Sequence, residues 1–329
     1  VSSSKPTGRR NKNNLPEKGR HLPFFAYMAY NKKERERREQ LTVEWFKNFP
    51  MAHLTSLGVG GPADLLCKPR TIGEVHEALK YAREHQLPVT VIGYGSNLLV
   101  TDKGIRGLVI QLAEHFAKAE AAGTKIRATA GCLLSSLSKL AARHSLTGLE
   151  FAVGIPGSLG GAVYMNAGAY GGEIGPLVEE ITWVTPDEVG VWKKSEFSYG
   201  YRRSRVQEER VIVAEAVIEL RPGNQSEILA KMKELQEKRR ACQPLDLPSA
   251  GSTFKRPPGY YVGPMIEAAN LKGYRIGGAE VSTKHAGFIV NTGGATAQDV
   301  LALIAHIQKT IKDKFDVDLQ PELQIVGEK

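Results

Sequence analysis

Apolar residues recur at helical spacing in several stretches of the chain. Ile72, Val75, Leu79 and Ala82 accompany Thr71-Ile72-Gly73-Glu74, a capping-box pattern, and predict a helix ending near Gln86. Leu134, Leu137, Leu140 and Ala141 predict a second, closed by Thr147-Gly148. Ile228, Met232, Leu235 and Gln236 predict a third, whose outer face runs through Glu237-Lys238-Arg239-Arg240. A cap at Thr296–Asp299 precedes Val300, Leu303, Ile304, Ile307 and Ile311, the apolar stripe of a fourth. Between these helices, Leu87-Pro88 leads into Val89–Ile92, a short apolar strand that Gly93 breaks. Val211–Leu220 reads as a longer strand, stopped by Pro222-Gly223. A domain boundary is expected near Arg221–Gln225. Strands and helices intermix without a regular βαβ rhythm, and no solenoid-length repeat is present. The expected class is therefore α+β, not a doubly wound parallel sheet.

Composition narrows the functions open to such a chain. Its 329 residues are 42% hydrophobic and 24% charged, enough for two or three packed units and incompatible with wholesale disorder. No apolar run approaches the roughly 20 residues of a bilayer span. Cys67, Cys132 and Cys242 are scattered, forming neither a disulfide framework nor a CxxC zinc site. A soluble, cytoplasmic protein is expected.

The net charge of +9 invites a nucleic-acid reading, but +7 of it lies in residues 1–50, where 12 Lys/Arg face 5 Asp/Glu. The remaining body is nearly neutral, so no steering of polyanions by the whole molecule follows. Residues 1–40 read as a basic extension, with a short apolar patch at Pro23–Met28 and a run of mixed charge at Lys32–Arg38. An RNA-binding arm or a membrane-surface helix are its functional readings. The favoured one is plainer: a solvated, largely disordered tail.

Candidate chemistry concentrates where glycine does. Gly93-Tyr94-Gly95-Ser96-Asn97-Leu98 follows the short apolar strand directly. A second run, Gly154-Ile155-Pro156-Gly157-Ser158-Leu159-Gly160-Gly161, continues to Asn166-Ala167-Gly168-Ala169. Glycines let backbone amides approach a ligand closely, so such loops can wrap a phosphate chain; they can equally be tight turns. Neither loop is a Walker A, and neither matches GxGxxG, because Leu98 stands where the third glycine would be. The eight histidines form no HxxxH or HExxH pair, and no Gly-x-Ser-x-Gly elbow occurs, so metal and serine-hydrolase chemistries lack support. Three polar groups remain in apolar or glycine-rich settings: Arg202 after Tyr201, Ser252 in Ala250-Gly251-Ser252-Thr253-Phe254-Lys255-Arg256, and Glu322 in Leu319-Gln320-Pro321-Glu322-Leu323. By spacing alone they are a surface arginine, a turn serine and a solvated glutamate.

Taken in order, Gly93–Asn97, Gly154–Gly168, Tyr201-Arg202, Ala250-Gly251-Ser252 with Phe254-Lys255, and Gln320-Pro321-Glu322 resemble the signature of the UDP-N-acetylenolpyruvoylglucosamine reductase family, flavoenzymes of bacterial peptidoglycan synthesis. The resemblance spans about Asn48 to Gly327. It implies a two-part FAD-binding domain of the vanillyl-alcohol-oxidase type at 41–223, with sub-domains of about 41–115 and 116–223, and a substrate-binding domain at 224–329. It further implies non-covalent FAD held by Gly93–Leu98 and by Gly154–Ala169, NADPH as co-substrate, and a UDP-sugar as substrate. Arg202, Ser252 and Glu322 become catalytic residues: Arg202 a fixed cation, Glu322 a proton-sharing acid, Ser252 a proton donor. Tyr201, Arg240, Gly251, Lys255, Arg256 and His285 become substrate contacts. Only 50 positions separate Arg202 from Ser252, so the chain resembles the shorter subtype, which lacks an extra substrate-closing segment. A monomer is expected. Two other functions remain open at this point: a flavin oxidase of the same superfamily with another substrate, and a nucleic-acid-binding protein using the basic arm.

Overall fold

A computed structural model describes residues 43–328. The expected extension at 1–40 lies outside the described residues. The four helices read from the sequence are present, as Ile72–Glu84, Leu134–Arg143, Gln225–Cys242 and Ala297–Phe315. Thr71 caps the first, its Oγ1 accepting from Glu74 N–H at 3.2 Å, while the Glu74 carboxylate reaches back to Arg70 N–H at 2.6 Å. Thr296 and Asp299 form the full reciprocal box on the last.

Three sheets divide the strands. The first orders Glu44–Pro50, Pro62–Lys68, Ile105–Gln111 and Val89–Ile92; its outer pair is antiparallel and the other pairings are parallel. The helix Ile72–Glu84 makes the crossover that parallel pairing demands. The second sheet is antiparallel throughout, in the order Val189–Lys193, Val178–Val184, Ile212–Glu219, Lys125–Thr129, Ala119–Ala122. Its central strand, the apolar run seen in the sequence, buries most of its residues. The third sheet joins Ser249–Ser252, Phe288–Asn291, Ala279–Val281 and Arg275–Ile276, also antiparallel. The mixture is α+β.

The three sheets are not three independent cores. Leu57, Val59 and Leu99 of the first lobe are buried in one cluster with Phe254, Ile289, Leu303, Ile307 and Leu323. The strand Gln324–Val326 then leaves the C-terminal unit and pairs, parallel, with Leu98–Val100. The helix Gln225–Cys242 buries Ile228, Met232 and Leu235 against Ala142 and Val153 of the second lobe. A boundary near residues 221–225 thus parts this helix from the surface on which it packs. Its apolar stripe shows that it is amphipathic but carries no sign of which neighbour it covers.

One carboxylate locks the first lobe to the last helix. Asp102, just after Leu98–Val100, accepts Ala297 N–H on Oδ1 at 2.8 Å and Gln298 N–H on Oδ2 at 2.9 Å. Those are unsatisfied donors of a helix N-terminus, where a negative charge is also favoured. Asp102→Ala is expected to lower stability by about 1 kcal/mol, read as a fall in the urea midpoint, with Asp102→Asn retaining part of the loss. A midpoint unmoved by either would show that the Thr296–Asp299 box suffices.

Candidate active site

Arg202 occupies the tip of a tight hairpin in which Tyr199 pairs with Ser204 and Gly200 with Arg203. Its φ of 56° places a non-glycine residue in the left-handed region, at a cost on the order of 1 kcal/mol that recurs at functional positions. The strained turn delivers the side chain inward. Arg202 Nε donates to Glu322 Oε1 at 2.6 Å, Nη1 to the Asn166 carbonyl at 3.4 Å and Nη2 to the Gly168 carbonyl at 3.3 Å. Both charged side chains are about 15% exposed, so the pair works in a poorly screened setting. The sequence casts Glu322 as a proton-sharing acid; in this structure it is the ion-pair partner of Arg202.

Ser252 and Glu322 come together through backbone pairing. Glu322 N–H donates to the Thr253 carbonyl and Lys255 N–H to the Gln320 carbonyl, each at 2.8 Å, around a bridge between Phe254 and Pro321. The ladder from Ser249 to Ser252 shifts register, with Gly251 at a φ of 77°, the arrangement of a bulge that re-aims the next side chain. Ser252 is exposed at that point. Tyr201 stacks its ring under the Arg202 guanidinium, 4.8 Å from the centroid, and its hydroxyl accepts from Arg256 N–H at 3.3 Å. Arg256 in turn lies 3.8 Å over the exposed ring of Tyr261. Lys255 and Arg256 therefore stand beside the Arg202–Glu322 pair.

Two other expected substrate contacts are not drawn in. Arg240 is exposed, and its carbonyl accepts from Lys284 Nζ at 2.6 Å. His285 folds onto its own turn: its Nδ1 accepts Gly287 N–H at 3.1 Å, and burial pushes its pKa down. The residue that does turn inward from the third helix is Arg239, which meets Gly154. A helical pattern cannot separate two adjacent arginines at the edge of the polar face, which is why the sequence reading named Arg240 and passed over Arg239.

The glycine loops pack against each other. A Cβ on Gly93 would fall 2.3 Å from Ser158 Oγ, and one on Gly157 would sit 3.5 Å from Ser96 Oγ. At Gly95, φ is 62° and a Cβ would fall 2.0 Å from the Leu54 carbonyl, so only glycine fits. Among the described residues, no backbone carbonyl accepts from the N–H groups of Tyr94, Gly95, Ser96 or Asn97. Four consecutive free donors in a half-buried loop suit a phosphate chain. The first loop thus fits the pyrophosphate of FAD.

The second loop is different. Ile155, Leu159 and Gly160 donate their N–H groups to Ala152, Cys132 and Ala130, and Gly161 N–H donates to Ser158 Oγ. Asn166 is buried and saturated: Nδ2 donates to Glu173 at 3.0 Å and to the Gly200 carbonyl at 2.9 Å, while Oδ1 accepts Gly175 N–H at 3.0 Å. Its side chain positions the Arg202 hairpin and is not available to a cofactor. Gly157 and Ser158 N–H have no acceptor among the described residues, so the second loop keeps two free amides beside its close-packed wall and the carbonyls that hold Arg202.

Asn97 closes the circuit. Its carbonyl accepts Gln324 N–H at 2.8 Å and its Nδ2 donates to the Glu322 carbonyl at 3.2 Å. The free amides, the ion pair and the second loop are consequently joined by direct contacts. Of two cavities, one of about 360 Å³ adjoins this hairpin, lined in part by Asn166, Glu173, Tyr199 and Tyr201. The other, about 430 Å³, lies among Lys125, Arg127, Glu180 and Lys193; Arg127 and Lys193 both pair with Glu180, and Lys125 pairs with Glu219. It shares no residue with the candidate site. No group of three or more His, Cys, Asp or Glu side chains able to hold a metal is present among the described residues.

Two predictions follow from this geometry. Gly95→Ala is expected to abolish flavin retention, measured as the ratio of visible to ultraviolet absorbance after purification. Arg202→Gly is expected to be more stable than Arg202→Ala by about 1 kcal/mol, because both lose the ion pair and only glycine relieves the backbone. Equal midpoints would mean that the turn is unstrained.

Comparison with known proteins now adds to the geometry. Residues 63–189 match the FAD binding domain, and residues 243–326 match the C-terminal domain of UDP-N-acetylenolpyruvoylglucosamine reductase. The chain is 51% identical over 285 residues to the UDP-N-acetylenolpyruvoylglucosamine reductase of Caldanaerobacter subterraneus, covering 86% of this chain and 94% of that one. It is 49% identical to the protein of the same name from Lactiplantibacillus plantarum, covering 87% and 95%. The crystal structure of the UDP-N-acetylenolpyruvylglucosamine reductase of Thermus caldophilus superposes with a TM-score of 0.74 at 37% identity, over 86% of this chain and 98% of that one.

Proposed function

Because the chain belongs to the UDP-N-acetylenolpyruvoylglucosamine reductase family, we propose that NADPH is its hydride source and that the residues around Arg202 hold and protonate the substrate. The protein is an FAD-binding oxidoreductase that reduces UDP-N-acetylenolpyruvoylglucosamine, forming UDP-N-acetylmuramate for peptidoglycan synthesis. On this reading it works as a monomer in the cytoplasm, supplying the wall precursor that cell shape and division require. No described helix is long and apolar enough to cross a membrane.

Held by the free amides of Tyr94–Asn97, FAD would supply hydride chemistry at the terminal vinyl carbon of the substrate, with NADPH as the source. Negative charge then accumulates on the substrate carboxylate as an enediolate-like species. Arg202 offers a permanent cation to that charge, and its fixed placement means that little reorganisation is needed. Glu322 holds the guanidinium in plane through Nε. Ser252 Oγ delivers its proton to the carbon alpha to the carboxylate; a hydroxyl is a weak acid, but the acceptor is strongly basic and held in contact. Lys255 and Arg256 face the pyrophosphate of UDP, with Tyr201 fixing the Arg256 backbone. The observation that carries the reading is the Arg202–Glu322 pair, tied by backbone bonds to the Ser252 segment and, through Asn97, to a loop of free amides.

An anaerobic visible spectrum tests the whole assignment. The flavin band should bleach with NADPH and return only on addition of UDP-N-acetylenolpyruvoylglucosamine. A band that bleaches but ignores this substrate would favour an oxidase-like relative with another acceptor. No histidine lies in either glycine loop, so denaturation and filtration should release all the flavin. Ser252→Ala should keep bleaching by NADPH and lose turnover by a factor on the order of 10² or more. Turnover within about tenfold of wild type would remove Ser252 as the donor. Glu322→Gln should likewise spare the first half-reaction; a loss of flavin would assign Glu322 a structural role.

A further inference from the structure

Among the described residues, Arg239 is a cation without a counter-ion. Its side chain leaves the helix Gln225–Cys242 and crosses Gly154, where an added Cβ would fall 2.7 Å from Arg239 Cδ and 3.4 Å from Nη1. The glycine at 154 therefore makes room for an arginine, not for a ligand backbone contact. Arg239 Nε is buried and has no hydrogen-bond partner. The acidic residues near it on its own helix are engaged elsewhere, Glu234 with Lys231 and Lys238 and Glu237 with Lys233, and Glu227 lies more than three turns away. Burial pushes the Arg239 pKa down, and the one group opposing that shift is Tyr170. A guanidinium does not neutralise, so burying it unpaired costs several kcal/mol unless a negative charge arrives.

The position of Arg239 indicates where that charge lies. The strand Gly168–Ala169 packs on the turn Glu150–Gly154 that Arg239 crosses, and Arg202 holds the Gly168 carbonyl. The two arginines thus bear on one loop, Asn166–Gly172, from different elements. The reacting carbon must lie near Arg202, so the ring system that hands it a hydride must lie near this loop too. A hydride taken from NADPH carries two electrons and one proton and leaves NADP⁺. The acceptor ring consequently gains one negative charge unless it takes up a further proton.

We propose that Arg239 meets this negative charge on the reduced isoalloxazine ring and so favours the reduced form of bound FAD. The inference rests on the FAD reading above. Arg239 is then a fourth cation in the site, beside Arg202, Lys255 and Arg256, acting on the cofactor where Arg202 acts on the substrate.

The test compares wild type with Arg239→Met and Arg239→Lys, each reconstituted with FAD, measuring the affinity for oxidised FAD and the two-electron midpoint potential by anaerobic dye equilibration. Arg239→Met should weaken binding of reduced FAD about tenfold relative to oxidised FAD, a fall of about 30 mV in potential. Arg239→Lys should recover most of that shift. Gly154→Ala, whose methyl group pushes the guanidinium aside without removing its charge, should move the potential in the same direction; it decides the matter if Arg239→Met does not fold. An unchanged potential overturns the proposal. So does a parallel loss of affinity for both redox forms, which would assign the cation to the FAD pyrophosphate. A wild-type protein that takes up no FAD would overturn the FAD reading itself, whereas the other two outcomes leave that reading standing.

Discussion

The ion pair between Arg202 and Glu322 joins residues 120 positions apart at 2.6 Å, and much of the architecture serves to bring them there. Neither side can arrive alone. Arg202 needs a left-handed turn, a saturated asparagine beneath it and two carbonyls of the second glycine loop. Glu322 needs the Thr253–Lys255 segment on one side and the pairing of Gln324–Val326 with Leu98–Val100 on the other. Separating such a pair would leave a half-buried charge unmatched, so the packing around it is held to one arrangement. The C-terminal strand that returns to the first lobe is part of that constraint: it fixes Glu322 at the rim of the cofactor loop.

The same constraint explains why the C-terminal unit is not free to act as a separate body. Its core includes Leu57, Val59 and Leu99, and the Asp102 carboxylate caps its last helix. Residues that contact the substrate on the proposed reading therefore sit on a unit registered to the cofactor lobe by apolar packing, a helix cap and a strand. Precision of this kind is what placement of a proton donor beside a developing carbanion requires.

How much of this was legible in the sequence depended on the range of the interaction involved. Helices could be read because their signals are local: Thr71 with Glu74, Thr296 with Asp299, and the stripe from Val300 to Ile311 act within a few residues. The candidate catalytic trio could be named only through ordered motifs that resemble a family; spacing by itself left three unremarkable polar residues. What could not be read was which atoms were already engaged. Asn166 and the amides of Leu159 and Gly160 look like ligand donors in a glycine-rich string, yet long-range partners such as Gly200, Cys132 and Ala130 take them up. Arg239 and Arg240 differ by one position and about 100° around the helix axis, and only tertiary packing decides which faces Gly154. The helix carrying them was read correctly, and its packing on Ala142 and Val153 across the expected boundary is likewise a long-range feature that its own pattern does not carry.

The distribution of charge gives the site its logic. Arg202 is matched by Glu322, but Lys255, Arg256 and Arg239 have no carboxylate partner among the described residues, Arg256 stacking instead on Tyr261. A site with surplus positive charge suits a reaction whose participants are all anionic: a substrate with a carboxylate and a pyrophosphate, and a cofactor that gains charge when reduced. The exposed ring of Tyr261 keeps the Arg256 guanidinium in place without neutralising it, since an aromatic face attracts a cation yet leaves its full charge available to a ligand. A carboxylate there would hold the arginine equally well and remove the charge the ligand needs. Glutamate appears only at Arg202 Nε, where one edge of the guanidinium is fixed and the charge still has to be shared with the transition state.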